Sequence, residues 1–116
     1  MTDLAPPEPS TLAYLGPTGT FTEQALYTQD DLTTLDLRPT TSIPDVFRQV
    51  VVGEADLGFA AIENSIEGSV NVTQDTLAFD VDLLIQREVV ISIQLNLMVA
   101  PGTVLSDVER VCSYPH

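Results

Sequence analysis

Residues 57–70 have the sequence LGFAAIENSIEGSV, in which an apolar run of six residues stops abruptly at a glutamate, an asparagine and a serine. The run before the break has no polar face, a pattern typical of a strand covered on both sides in a parallel sheet. In α/β proteins, ligands bind beyond the carboxyl ends of such strands. We therefore expect the polar residues that follow, Glu63, Asn64 and Ser65, to lie at a ligand-binding edge of the sheet.

Two strand-helix units precede this strand. Residues 11–16, TLAYLG, predict a buried strand that ends in a glycine-rich loop, and a helix is expected to begin at Thr20. Thr20 and Glu23 have the spacing of a capping box, in which the hydroxyl accepts the amide of Glu23 and the carboxylate accepts the amide of Thr20. Residues 35–37 then predict a second short strand, closed by Pro39.

A second helix is predicted to begin after Ser42, whose hydroxyl suits an N-cap, and Pro44 is tolerated in its first turn. Gly53 marks its expected C-terminal end. The order strand, helix, strand, helix, strand predicts an α/β architecture with a mainly parallel sheet and flanking helices. The predicted inward stripe of this helix contains Ile43, Val46, Phe47, Val50 and Val51.

A third helix is predicted from Ser69 to Leu77, with Val70, Thr73 and Leu77 facing inward. Its amino terminus is expected at the same edge of the sheet as the polar residues above. Gly68 and Ser69 therefore have two interpretations, a binding site for a carboxylate or an ordinary helix cap.

The pattern changes in the last third of the chain. In residues 89–99, Val, Ile or Leu occupies every odd-numbered position, and most of the positions between them are polar. This alternation predicts one long strand with a solvated face. Ser106 and Glu109 have the spacing of another capping box. Residues 110–116, RVCSYPH, predict the start of a further strand.

The composition makes some classes of partner improbable. Seventeen acidic residues against four arginines and no lysine give a formal net charge of −13 at pH 7, which repels nucleic-acid backbones and anionic membrane surfaces. No apolar run is long enough to cross a bilayer. The sequence therefore predicts no nucleic-acid partner and no membrane partner. A small anionic ligand would be held by hydroxyls, amides and helix ends, or by basic groups from elsewhere.

The amino-terminal residues 1–10, MTDLAPPEPS, lack the basic and apolar regions of a secretory signal, and they predict a disordered arm. Cys112 is the single cysteine of the sequence, so no internal disulfide is expected and a reducing cytoplasm is the predicted location. We interpret Cys112 as a buried thiol with no catalytic role. Its neighbours Tyr114 and His116 are interpreted as incidental, because a metal site needs further cysteines or histidines.

Two motifs remain open when the residues alone are considered. Glu63, Asn64 and Ser65 either bind a small ligand or form an Asx-type turn in which Ser65 satisfies the backbone. Residues 16–20, GPTGT, are glycine-rich but match neither the dinucleotide fingerprint nor the Walker pattern.

Four motifs together resemble the prephenate dehydratase family. They are YLGPTGTFTEQA at 14–25, AAIENSIEGSV at 60–70, DTL at 75–77 and SYP at 113–115. The resemblance implies an enzyme of phenylalanine biosynthesis that converts prephenate to phenylpyruvate, carbon dioxide and water, with neither a metal nor an organic cofactor. It also implies a two-lobed fold of the periplasmic-binding-protein kind (type II), with the active site in the cleft between the lobes.

The resemblance assigns roles to individual residues. As a hypothesis, Asn64 orients the leaving hydroxyl of the substrate, while Glu63 positions Asn64 or donates a proton. This sequence departs from the usual family pattern at Tyr114, Ala61 and Thr22, where histidine, proline and serine are common. The residues implied to be catalytic are Glu63, Asn64 and Ser113, and those implied to bind substrate are Thr18, Gly19, Thr20, Ser65, Gly68 and Ser69.

We expect the chain to be part of a larger enzyme. Residues 11–116 would form a partial catalytic domain, with the first lobe extending to about residue 80 and a truncated second lobe at 81–116. The Thr-Arg-Phe motif of the family and its regulatory ACT domain, through which L-phenylalanine would act, lie outside this sequence. The complete enzyme is expected to be a homo-oligomer, and the fragment alone is expected to be inactive.

Two other functions stay open at this point. The chain is either a non-catalytic lobe that binds or senses a small anion, or an inactive fragment of the enzyme. The lack of a signal peptide argues against an exported binding protein.

Overall fold

The computed structural model describes residues 8–65 and 68–113, and a small parallel sheet lies at its centre. Its strands are β1 (Thr11–Leu15), β2 (Asp36–Thr40) and β3 (Leu57–Phe59), in the order β2-β1-β3. Leu12 of the central strand pairs with Leu37 on one side and with Leu57 on the other. The predicted parallel sheet is confirmed, but β3 ends at Phe59 rather than at the end of the apolar run.

The side chain of Asp56, the residue just before β3, fixes the start of the sheet. Ser10 was assigned to the disordered arm, yet its amide donates to Asp56 Oδ2 at 2.8 Å, and the amide of Thr11 donates to the same oxygen at 3.1 Å. These hydrogen bonds lower the pKa of Asp56. The remainder of the predicted arm is described only at residues 8 and 9, because residues 1–7 lie outside the described part of the chain.

Helices α1 (Phe21–Leu26), α2 (Asp30–Thr33) and α3 (Ile43–Val51) connect the strands. The predicted caps are confirmed, since Thr20 Oγ1 accepts the amide of Glu23 and Ser42 Oγ accepts the amide of Asp45, each at 3.2 Å. Gly53 follows α3 with a φ of +81°, the left-handed conformation that glycine adopts without strain.

Both faces of the sheet are covered by helices, as the apolar run predicted. On one face Val46 of α3 packs with Ala13 and Ala55. Gly58 allows this close approach, because a Cβ atom there would lie 3.0 Å from Val46 Cγ1. The predicted stripe of α3 is wrong at Val51, the last residue of the helix, whose side chain is exposed. The other face buries Leu12, Tyr14 and Leu26 against Leu32, Leu35, Leu37, Leu57 and Phe59.

A two-stranded hairpin and a short helix follow the sheet. The antiparallel strands are β4 (Glu63–Asn64) and β5 (Gly68–Ser69), and helix α4 (Asn71–Asp75) continues into a π-helical turn at Thr76–Asp80. The predicted helix start at Ser69 is wrong, because Ser69 pairs with Glu63 in the hairpin and Val70 occupies the N-cap position without a side-chain hydrogen bond. Thr73 is buried and faces inward as predicted.

Residues 81–113 contain no strand, so the predicted strand at 89–99 is wrong. A strand is stable only when neighbouring strands satisfy its backbone, and the described residues supply no such neighbour. Side chains of this segment are accordingly exposed, for example Val90 (81%) and Met98 (87%). None of the described helices is long and apolar enough to span a membrane.

The predictions at the end of the chain are also corrected. Ser106 lies inside a short 3-10 turn at Leu105–Asp107 whose N-cap, Val104, makes no side-chain hydrogen bond. Residues 110–113 form no strand, and residues 114–116 lie outside the described part. Cys112 is exposed rather than buried, because no element packs over this irregular segment.

Candidate active site

The carboxyl ends of the three parallel strands meet at one edge of the sheet. Leu15 of β1 pairs with Thr40 of β2, and Tyr14 pairs with Phe59 of β3. The loop at 16–20 and the segment that leads to Glu63 therefore begin side by side, as the sequence predicted. Their proximity follows from the parallel register alone.

The loop at 16–20 needs its two glycines for different reasons. A Cβ atom on Gly16 would lie 2.9 Å from Pro39 Cβ, so only glycine fits against β2. Gly19 has a φ of +89°, which other residues adopt only with strain. A concavity of about 490 Å³ lies beside this loop. It is lined by Leu15, Gly16, Pro17, Gly19, Thr20, Phe21 and Thr22.

Glu23 fastens the loop to the core. One carboxylate oxygen, Oε1, accepts the amide of Gly19 at 3.0 Å, and the other, Oε2, accepts the hydroxyl of Tyr14 at 2.9 Å. The predicted capping box is thus half right, because the carboxylate bonds to Gly19 instead of Thr20. Burial is the main reason, and the hydrogen bond to Glu23 the second, why the pKa of Tyr14 is raised from 10.0 to about 12.

These contacts limit what the loop offers to a ligand. The amide of Gly19 is already engaged by Glu23, and Thr20 Oγ1 already accepts the amide of Glu23. Thr18 is exposed and does not line the concavity. The binding roles of Thr18, Gly19 and Thr20 stay predictions, and the described contacts give Gly19 and Thr20 structural roles as well.

The Glu63–Asn64 pair lies in the short hairpin. Glu63 is opposite Ser69 and Asn64 is opposite Gly68. Glu63 is exposed, whereas Asn64 is half-buried. Gly68 has a φ of +84°, so the return strand needs glycine at this position. Ser65 lies in the turn, exposed to solvent, and residues 66 and 67 lie outside the described part.

Helix α4 holds the segment that leads into this hairpin. The hydroxyl of Thr73 donates to the carbonyl oxygen of Ala61 at 2.6 Å. The side-chain amide of Gln74 donates to the carbonyl oxygen of Ile62 at 3.1 Å, and the amide of Val70 donates to the same oxygen at 3.0 Å. The sequence interpretation missed these contacts, although a polar residue on the inward face of a helix was a visible signal.

Ser113 lines a different concavity from the one beside the loop at 16–20. It is exposed in the irregular segment and lines a concavity of about 650 Å³ formed by residues 95–100, 103 and 107–113. As far as the described residues define it, this concavity includes neither Glu63 nor Asn64. The catalytic role of Ser113 stays a prediction.

Most of the positive charge of the chain is committed to ion pairs. Within the described residues, Arg48 Nε lies 2.7 Å from Asp45 Oδ1, and Arg87 Nη2 lies 2.7 Å from Asp31 Oδ2. Arg38 pairs in the same way with a neighbouring aspartate. In the same part of the chain, no three potential metal-ligating side chains come together as a metal site. Among the described residues, the edge therefore offers amides, hydroxyls and the carboxylates of Glu23 and Glu63.

The fold and the edge define an α/β protein with a candidate polar site at the carboxyl ends of its parallel strands. Residues 12–116 match the family model described as prephenate dehydratase. The chain belongs to the prephenate dehydratase family, and the resemblance found in the sequence is confirmed.

Relatives in bacteria agree with this assignment. The chain is 38% identical over 114 residues to a prephenate dehydratase of Mycolicibacterium gilvum, an alignment that covers 90% of this chain and 37% of the relative. It is 37% identical over 112 residues to that of Corynebacterium glutamicum, with 92% and 36% covered. The chain thus spans little more than a third of the length of these relatives.

Two solved structures resemble part of the fold. The prephenate dehydratase of Arthrobacter aurescens in complex with L-Phe superposes with a TM-score of 0.53 at 41% identity, over 59% of this chain and 22% of that one. The prephenate dehydratase of Streptococcus mutans gives a TM-score of 0.53 at 35% identity, over 62% and 37%. Both likenesses support the mixed α/β fold.

Proposed function

We propose that this chain forms the first part of the catalytic domain of a prephenate dehydratase, which converts prephenate to phenylpyruvate, carbon dioxide and water. The observation that carries the proposal is the family match over residues 12–116, combined with the position of the Glu63–Asn64 pair beyond the sheet edge. The proposed reaction belongs to phenylalanine biosynthesis in the cytoplasm and uses neither a metal nor an organic cofactor.

The chemistry explains why polar groups are needed at this edge. The ring of prephenate becomes aromatic when it loses its carboxylate and hydroxyl, so the barrier lies in the departure of hydroxide. A donor must hold that hydroxyl, and the carboxylate must be oriented in a site that excludes water. The half-buried Asn64 supplies a side-chain amide for the first task.

Glu63 has a secondary role in this proposal. Its side chain is exposed in this chain, and a general acid works best when it is shielded from water. We assign it to positioning Asn64, or to proton donation once another part of the protein covers the edge. Ser65, Gly68 and Ser69 would contact the substrate carboxylates from the same hairpin.

The rest of the enzyme is proposed to supply what this chain lacks. A second lobe, beginning at about residue 81, would close a cleft over the sheet edge and bring the Thr-Arg-Phe motif of the family. Its arginine would balance the dianionic substrate, which this chain alone repels with its net charge of −13. Ser113 would join the site only when the second lobe is complete.

Regulation and assembly are proposed by analogy with the relatives. The Arthrobacter aurescens enzyme was solved in complex with L-Phe, and we propose that L-phenylalanine regulates the complete protein through an ACT domain outside this sequence. The complete enzyme is proposed to be a homo-oligomer.

The test uses the chain extended to the full length of its relatives. We expect this protein to form phenylpyruvate from prephenate. Asn64→Ala should lower kcat by about 100-fold with little change in KM, because loss of one transition-state donor costs about that much. Asn71→Ala is a matched control, since Asn71 is exposed on α4.

Three results would decide against parts of the proposal. An extended wild-type protein without turnover would contradict the proposed reaction. If that protein still bound prephenate, the non-catalytic binding lobe would be the better function. A higher KM with unchanged kcat in Asn64→Ala would make Asn64 a binding residue only.

A further inference from the structure

Thr73 and Thr40 are the two polar residues that are buried in the described structure. Thr73 is 2% exposed and is the one buried residue of the short helix α4. Its hydroxyl donates to the carbonyl oxygen of Ala61 at 2.6 Å, across twelve positions of sequence. Burying a hydroxyl costs free energy unless a partner satisfies it, so the Thr73 hydroxyl needs this hydrogen bond.

The contact bridges α4 and the chain just ahead of the hairpin. Gln74 and the amide of Val70 hold the next carbonyl, that of Ile62. Two successive carbonyl oxygens are thus fixed, and each peptide group is a rigid plane. Fixing both planes fixes the direction in which the chain enters Glu63 and Asn64.

We propose that Thr73 is a positioning residue for the dehydration proposed above, because its hydroxyl sets the orientation of β4 through the carbonyl of Ala61. This inference rests on the proposed function. Thr73 does not itself contact the substrate in this proposal. It keeps the Asn64 amide within the narrow geometry that a transition-state donor requires.

A second threonine three positions further on provides a comparison within the same helical segment. Thr76 Oγ1 donates to the carbonyl oxygen of Val72, also at 2.6 Å, but that acceptor belongs to the preceding turn of its own helix. Such a local bond is common for threonine in helices and holds no other segment. The two hydrogen bonds are therefore equally long, but only that of Thr73 joins α4 to another segment of the chain.

The experiment compares three variants in the chain extended to the length of its relatives. Thr73→Val keeps the shape and removes the hydroxyl, Thr73→Ser keeps the hydroxyl, and Thr76→Val removes the local bond. We expect Thr73→Val to lower kcat by about 10-fold to 100-fold with KM changed less than about twofold. Thr73→Ser should restore kcat to within about threefold of wild type, and Thr76→Val should leave both constants near the wild-type values.

Amide hydrogen exchange in the same proteins guards against a general loss of folding. Thr73→Val should speed exchange at residues 62–65 and leave the central strand β1 as protected as in wild type. An active wild type whose kcat is unchanged by Thr73→Val, or not rescued by Thr73→Ser, would overturn this inference alone. Exchange that becomes equally faster in β1 and in the hairpin would also overturn this inference, because it would indicate a general loss of folding. A wild-type protein without turnover would overturn the proposed function, and this inference with it.

Discussion

Residues 8–80 and residues 81–113 are both rich in apolar side chains, yet only the first region has a buried core. Every described residue that is buried lies between Leu12 and Thr73. The second region has no strand and exposes large side chains such as Leu84 and Leu95. The first region contains its own partners, since each strand-helix unit packs on the next. An apolar pattern therefore becomes structure only where the chain also supplies the surface that the pattern needs.

The largest expected effect concerns turnover. The 116-residue chain should form phenylpyruvate more than about 1000-fold more slowly than the chain extended to its relatives' length, a difference of roughly 4 kcal/mol in barrier. The exposed second region cannot close over the sheet edge, so water enters the site. The measurement follows phenylpyruvate formation by both proteins. Comparable rates would mean that residues up to 116 suffice, and the contrast between the regions would lose its functional meaning.

A pair of identical substitutions tests the same contrast in stability. Leu26 is fully buried and Leu95 is 78% exposed. Leu26→Ala should lower the free energy of unfolding by about 2–5 kcal/mol, whereas Leu95→Ala should change it by less than about 0.5 kcal/mol. Chemical denaturation of the 116-residue chain measures both. Equal losses would show that the second region is packed in solution.

A smaller effect is expected at high pH within the first region. The pKa of Tyr14 is raised from 10.0 to about 12 in the folded chain. Its contribution to stability is therefore complete below pH 10 and is lost as the pH rises through about 12. At about 1.4 kcal/mol per pKa unit, this shift is worth about 3 kcal/mol in all, and the wild type should lose most of it, relative to Tyr14→Phe, as the pH rises from 10 to 12.

The smallest expected effect is at Cys112 in the second region. Cys112→Ser in the extended chain should leave turnover unchanged, because the proposed chemistry needs no thiol. A loss beyond about 100-fold, roughly 2.7 kcal/mol in barrier, would contradict this. In the 116-residue chain the exposed thiol should react readily with a thiol reagent, and slow reaction would indicate a covered segment.

Local signals explain what the sequence predicted well. Thr20 and Ser42 cap their helices through bonds to residues three positions away, and such contacts depend on neighbours in sequence. The position of Glu63 and Asn64 beyond the sheet edge followed from the abrupt end of the apolar run. Their chemical roles stay predictions.

Tertiary contacts explain what the sequence did not predict. The Glu23 carboxylate bonds to Tyr14 and Gly19, since the strand brings the phenol to it. Ser69 belongs to a hairpin strand rather than to a helix cap, because it pairs with Glu63. The strand expected at 89–99 needs partners that the alternating pattern cannot reveal.

The ion pairs of the arginines have a kinetic consequence. Among the described residues, Arg38, Arg48 and Arg87 are paired with carboxylates, and the formal net charge of −13 repels an anion that approaches the chain. Added salt shortens the reach of that repulsion, to about 8 Å at physiological ionic strength. Encounter between the chain and an anion should therefore become faster as salt is added, the reverse of the usual behaviour of an enzyme that attracts its substrate over a distance.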